Sequence, residues 1–209
     1  MIELAGAGTF DRRHVGGKAY HLDQLIALGL NVPPTVVIPE GENVDGNRIA
    51  VWCRRVLGGD SKWHLAIRSS SAFEDSSGES RAGHYLSLLG TFDVAALELA
   101  IEQVRQSGPQ MAVIIQPLLD ASHAGILFSC DPLSYSKNQL TIIWTQGRAD
   151  RLVAGDVAGE RIRIGVDGKI VAGVWPGSNE SMTELLRGAR LIDENIKGPV
   201  DIEWVCDTA

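Results

Sequence analysis

The sequence predicts an α+β fold with a mainly antiparallel sheet and flanking helices. Three observations predict it. Short runs rich in β-branched residues recur along the chain, and segments of helical periodicity lie between some of them without regular βαβ alternation. In the middle of the chain "MAVIIQPLL", "AGILFS" and "QLTIIW" follow one another across polar turns. Asp167-Gly168 then supplies a tight-turn signal between "ERIRI" and "KIVAGVW".

Element by element, "GGKAYHLDQLIALG" sets Leu22, Leu25 and Ile26 at helical spacing, with Gly29 as the stop. "VPPTVVI" is a short strand with its prolines at the start, where missing donors do least harm. "NRIAVWCRRVLGG" predicts a second helix ending at Gly58. "WHLAIRSS" and "HYLSLL" predict strands, and between them Ser69 to Ala82 predicts a loop rich in serine and glycine. "FDVAALELAIEQVRQSG" is a helix with Asp93 as N-cap. After the three central strands and the hairpin, "SMTELLRGARLIDENIKG" predicts a helix opened by a Ser181–Glu184 capping box and stopped near Gly198. "PVDIEWVC" is a final strand.

The composition excludes several function classes. The chain has 209 residues, 44% hydrophobic and 22% charged, an ordinary globular balance and enough for a buried core. A formal net charge of −7 argues against nucleic acid as a partner, so an anionic ligand must meet local cations. Cys53, Cys130 and Cys206 form no CxxC pair and read as reduced, mostly buried thiols of a cytoplasmic protein. The five histidines lack metal-ligand spacing. The N-terminus lacks a signal-peptide pattern, and no apolar run reaches membrane-spanning length.

Three groups could carry chemistry. In "HVGGKAY" a glycine pair precedes Lys18 at a helix start. Such a turn can hold an anion through backbone N–H groups, the positive helix end and the ammonium; it can equally be a capping turn with a surface lysine. Arg68 ends an apolar strand, where its planar fork suits phosphate oxygens, or pairs with Glu74 or Asp75 across its own loop. In "DIEW" strand alternation sets Asp201 and Glu203 on one face and Ile202 and Trp204 on the other. The acids could share hydrated Mg²⁺ or stand solvated on an edge strand. Together these are the parts of a nucleotide site.

In order along the chain, "VGGKAYHLDQLIALGLNVPPTVVI", "LAIRSSSAFEDSSGESRAG", "AVIIQPLLDASHAGILFSCDP", "GRADRLVAGDV" and "DIEW" resemble the N-terminal nucleotide-binding domain shared by phosphoenolpyruvate synthase, pyruvate phosphate dikinase and rifampin phosphotransferase. That resemblance implies an ATP-grasp-like fold over residues 1–209 as one shortened domain, with possible subdomains 1–92 and 93–209 flanking the ATP cleft. It implies ATP and Mg²⁺ as cofactors. Lys18 and Arg68 would hold the phosphates and act in catalysis. The backbone at Gly83 and the hydroxyl of Ser87 would lie on a covering loop, Gln116 near adenine and ribose, and Asp201 with Glu203 on Mg²⁺ in the same cleft.

There are departures from the family pattern. Arg81, His84, Ala149 and Asp150 stand where it has phenylalanine, glutamine, glycine and glutamate. The segments Glu40–Leu65 and Phe92–Met111 are short, implying a reduced helical subdomain, and no glutamine-x-arginine motif follows "DIEW". "SHAG" superficially matches a phosphohistidine motif but lies within the central-strand match, so His123 reads as a turn residue. The resemblance implies a phosphotransferase subunit that passes a phosphoryl or pyrophosphoryl group to a small substrate or to a histidine on a separate phosphohistidine or substrate-domain polypeptide. The alternatives are a degenerate regulatory subunit and a ligase working through an acyl phosphate.

Overall fold

The computed structural model describes residues 1–72, 86–131, 139–165, 167–196 and 198–207. The element order is β1 (Ile2–Glu3), α1 (Arg12–Val15), α2 (Gly17–Ala27), β2 (Val36–Ile38), α3 (Gly46–Leu57), β3 (Trp63–Ser71), β4 (Ser87–Phe92), α4 (Val94–Gln106) and β5 (Met111–Pro117). Then come β6 (Ala121–Phe128), β7 (Gln139–Gln146), α5 (Asp150–Val153), β8 (Glu160–Gly165), β9 (Ile170–Ala172), α6 (Asn179–Asn195) and β10 (Asp201–Asp207). The class is α+β. Instead of one sheet there are two five-stranded sheets, and every strand pairing among the described residues is antiparallel.

The chain forms two compact units, Met1–Leu118 and Leu119–Ala209. Sequence reading divides it after residue 92. The division falls later because α4 and β5 pack and pair with β3, so both stay with the first unit.

The first unit holds a sheet of order β1-β2-β5-β3-β4. Its central strand β5 is apolar on both sides, as a strand covered on both faces must be. Val113 and Ile115 join the cluster that Ile49, Trp52 and Cys53 of α3 and Leu97, Ile101 and Val104 of α4 build on one face. Ala112 and Ile114 join Val15 and Ala19 of α1 and α2 on the other. Helices α3 and α4 are held by side-chain N-caps: Asp45 accepts from Arg48 N and Asp93 from Ala96 N. Cys53 is fully buried in the first of these clusters, and that burial pushes its thiol pKa up to about 11. Cys130 and Cys206 are only half-buried, short of the burial expected for them.

In the second unit the order is β10-β6-β7-β8-β9. Leu127, Ile142, Ile162 and Ile164 pack on Leu186 and Ala189 of α6, with Ile202 and Trp204 at the margin.

Several local expectations change. The N-cap of α6 is Ser178, which accepts from Ser181 N at 3.1 Å; Ser181 lies in the first turn, so no capping box starts there. His123 is a strand residue, paired with Cys206 and Gln146, because β6 begins at Ala121. β3 does not end at Arg68. It runs on through Ser69, Ser70 and Ser71, all buried, since β5 pairs with it that far. These serines belong to the strand, not to a loop. The short β1, α1 and α5 have no strong sequence signal.

Candidate functional site

The first glycine of the pair before Lys18 has a packing cause. Gly16 joins α1 to α2 with φ at +79°, a region that favours glycine. A Cβ there would stand 2.1 Å from the Ser70 carbonyl oxygen. The helix start is therefore pressed against β3. Ala19 N donates to Ser70 Oγ at 3.1 Å, satisfying one of the donors that an α-helix leaves open at its start. This fastens the first turn of α2, which carries half-buried Lys18, to β3 two residues beyond Arg68.

Residues directly opposite in an antiparallel pair share a face. One row across the first sheet reads Val37, Ile114, Arg68, Ser87. The next row, one two-residue step along (about 6.7 Å), contains Gln116, Ala66 and Leu89. Val37 and Ile114 lie in the α1/α2 cluster, so both rows belong to the face on which α2 packs. Arg68, Ser87, Gln116 and the start of the Lys18 helix thus lie on one side of one sheet. Arg68 is half-buried, Ser87 exposed and Gln116 buried at 7%.

Two further residues shape this face. Asp23 is buried on α2, where its carboxylate accepts from Gly6 N and Gly8 N, each at 2.8 Å. It holds the loop after β1 against the helix. The register that pairs Val36 with Ile115 brings Thr35 beside Gln116, and Gln116 Nε2 donates to Thr35 Oγ1 at 2.9 Å. A sequence signal existed for Asp23: it falls four residues after buried Ala19, on the apolar side of the helix. Thr35 has none, because its partner lies 81 positions away.

Asp201 and Glu203 lie in the second unit. Both are exposed on the same side of β10, while Ile202 and Trp204 turn to the α6 cluster, as the alternation predicts. Their row partners on β6 are Phe128 and Ile126. Despite its surface position, partial burial lifts the Asp201 carboxyl above its usual range. Among the described residues no group of three His, Cys, Asp or Glu could hold a metal ion. A cation at this pair would therefore keep most of its ligands as water or ligand oxygens, which is how Mg²⁺ is commonly held. Gly83 and most of the Ser69–Ala82 segment lie outside the described residues. No described helix is long and apolar enough to cross a membrane.

No protein-family profile matches the chain. It is 31% identical to the prodigiosin synthesizing transferase PigC of Serratia marcescens, over 75% of this chain and 23% of that protein. It is 29% identical to the uncharacterized phosphotransferase YvkC of Bacillus subtilis, over 68% of this chain and 22% of that one. The chain thus spans less than a quarter of the length of these curated relatives. Among solved structures it resembles D-alanyl-alanine synthetase A from Vibrio cholerae, with a TM-score of 0.56 at 8% identity, over 94% of this chain and 52% of that one. It also resembles N5-carboxyaminoimidazole synthetase from Staphylococcus aureus, with a TM-score of 0.52 at 11% identity, over 93% of this chain and 41% of that one. The shared architecture is the ATP-grasp-like fold.

Proposed function

We propose that the chain is the ATP-binding part of an enzyme that activates an acceptor oxygen by phosphoryl transfer, in the manner of an ATP-dependent ligase. The observation that carries this reading is the face of the first sheet. Arg68 and Ser87 stand in one row, Gln116 and an apolar strip in the next, and the helix start carrying Lys18 is bonded to the same strand. Two cations and a helix N-terminus suit a polyphosphate, and the apolar strip suits a flat base. Phosphoryl transfer asks the protein mainly for position and charge, which such a face can supply. In the second unit Asp201 and Glu203 would hold a hydrated Mg²⁺ through one or two carboxylate contacts.

The ligase reading is supported by the two synthetases that share the fold. The second reading places the chain with the phosphoenolpyruvate synthase and dikinase group, passing the phosphoryl group to a histidine on a partner polypeptide. It is supported by the motif order and by the phosphotransferase name of one relative. Calorimetric titration with Mg·ATP and Mg·ADP tests the shared core of both. The expected result is saturable binding that Arg68→Ala weakens at least tenfold, about 1.4 kcal/mol. ADP release that depends on an added carboxylate separates the ligase from the phosphohistidine reading. No binding of either nucleotide would remove both.

A further inference from the structure

We propose that Thr35 is a positioning residue that fixes the polarity of the Gln116 amide, so that its carbonyl end selects a nucleobase carrying an exocyclic amino group over one carrying a keto oxygen. The inference rests on the nucleotide reading above and adds to it the residue that orients the amide facing the base.

The hydrogen bonds fix the amide without ambiguity. Thr35 Oγ1 lies 2.7 Å from the Pro33 carbonyl oxygen. A carbonyl only accepts, and a hydroxyl has a single proton, so that proton is committed to Pro33. The contact of 2.9 Å between Thr35 Oγ1 and the Gln116 amide must then be donated by the amide nitrogen. A flipped amide would set two acceptors against each other inside the fold, where Thr35 is 1% and Gln116 7% exposed. Thr35 itself is fixed: its carbonyl oxygen accepts from Leu4 N at 3.0 Å, and it leads directly into β2.

The neighbours say what this polarity is for. Gln116 stands in register with Ala66, and Ala66 with Leu89, which is 37% exposed, so an apolar strip continues from the amide across the face. Arg68 and Ser87 fill the adjacent row. A ligand with anionic groups at the Arg68 row and a flat ring on the Ala66–Leu89 strip would bring its ring edge beside Gln116. With one Nε2 proton given to Thr35 and the amide held from turning, Oε1 stays on the side away from Thr35 as its acceptor. A ring amine donates to that oxygen; a keto group in its place opposes it.

The test uses the whole chain and two purine nucleotides that differ at this position, Mg·ATP and Mg·ITP, titrated by calorimetry. The wild type is expected to bind ATP about tenfold or more tightly than ITP, the effect of one hydrogen bond gained against one acceptor left opposed. Thr35→Ser keeps the hydroxyl and should keep the ratio. Thr35→Val frees the amide to turn and should bring the ratio near one, whereas Arg68→Ala should weaken both nucleotides alike. A purely structural role for Thr35 would lower both affinities and leave the ratio unchanged, which would overturn the inference. So would equal or tighter binding of ITP by the wild type, a result that needs no variant. In either case ATP binding would still stand; a wild type that binds neither nucleotide would remove the nucleotide reading together with this inference.

Discussion

Gly16 occupies a point where the start of α2 meets the backbone of β3. Gly16→Ala would force a Cβ to within 2.1 Å of the Ser70 carbonyl oxygen at a φ that disfavours side chains. We expect a loss of about 2 kcal/mol or more, read as a lower denaturant midpoint. Asp23 is a second such point. Asp23→Asn leaves one of the Gly6 and Gly8 amides facing an NH₂ group, and we expect a cost of about 1–3 kcal/mol by the same measurement. Asp201 runs the other way. Burial raises its folded pKa, so the folded state binds protons more readily than the unfolded chain there. Stability on its account is complete below the unfolded carboxylate pKa and declines as pH rises through the folded one. Asp201→Asn should therefore stabilise the protein at pH 7, with the gain vanishing near pH 3. A melting series across pH checks both the sign and the window. At this scale the sequence was partly legible: the cations and acids were visible as candidates, but the reason for Gly16 was not, because it lies in a strand that joins the helix only in three dimensions.

Helix α6 shows what local pattern can and cannot decide. Ser181 and Glu184 match a capping box, yet Ser178 caps the helix. The structure prefers the longer helix because Trp175 Nε1 donates to both Ser178 O and Ser181 Oγ, binding the turn before the cap to the first turn after it. Ser178→Ala should cost about 1 kcal/mol, whereas Glu184→Ala should change little. Equal losses in thermal melts would restore the capping box. Strand β3 makes the same point. Ser69 to Ser71 read as loop from composition, but pairing with β5 carries them into the sheet and buries them. Elements whose signal is periodic and local, such as α3, α4 and β5, were legible. Those whose extent depends on a distant partner were not.

At the scale of the molecule, the apolar clusters respect the division of the chain. Two lie wholly within Met1–Leu118 and the third within Leu119–Ala209. Each unit therefore has its own source of cooperativity. We expect residues 1–118 expressed alone to fold, with a single unfolding transition and dispersed amide resonances. A collapsed species with no transition would show that the first unit depends on the second. The α+β class and the antiparallel pairing followed from strand and turn patterns. The split into two sheets did not, because each strand's neighbour is chosen by register across long separations, as when β2 joins β5 and β10 joins β6.

Strand β10 forms one margin of the second sheet, pairing only with β6 among the described residues. A margin of this kind is a template on which other chains can crystallise into ribbons, and nature commonly guards it with charge. Here Asp201 and Glu203 are exposed on it next to Val205, itself 49% exposed. The guard has a weak member: with its pKa raised, Asp201 surrenders its charge earlier on acidification than an ordinary aspartate. Colloidal stability should accordingly fall as the solution approaches the carboxylate range, seen by light scattering as growth in particle size that depends on protein concentration. Asp201→Lys, which stays charged throughout, should keep the solution monodisperse to lower pH.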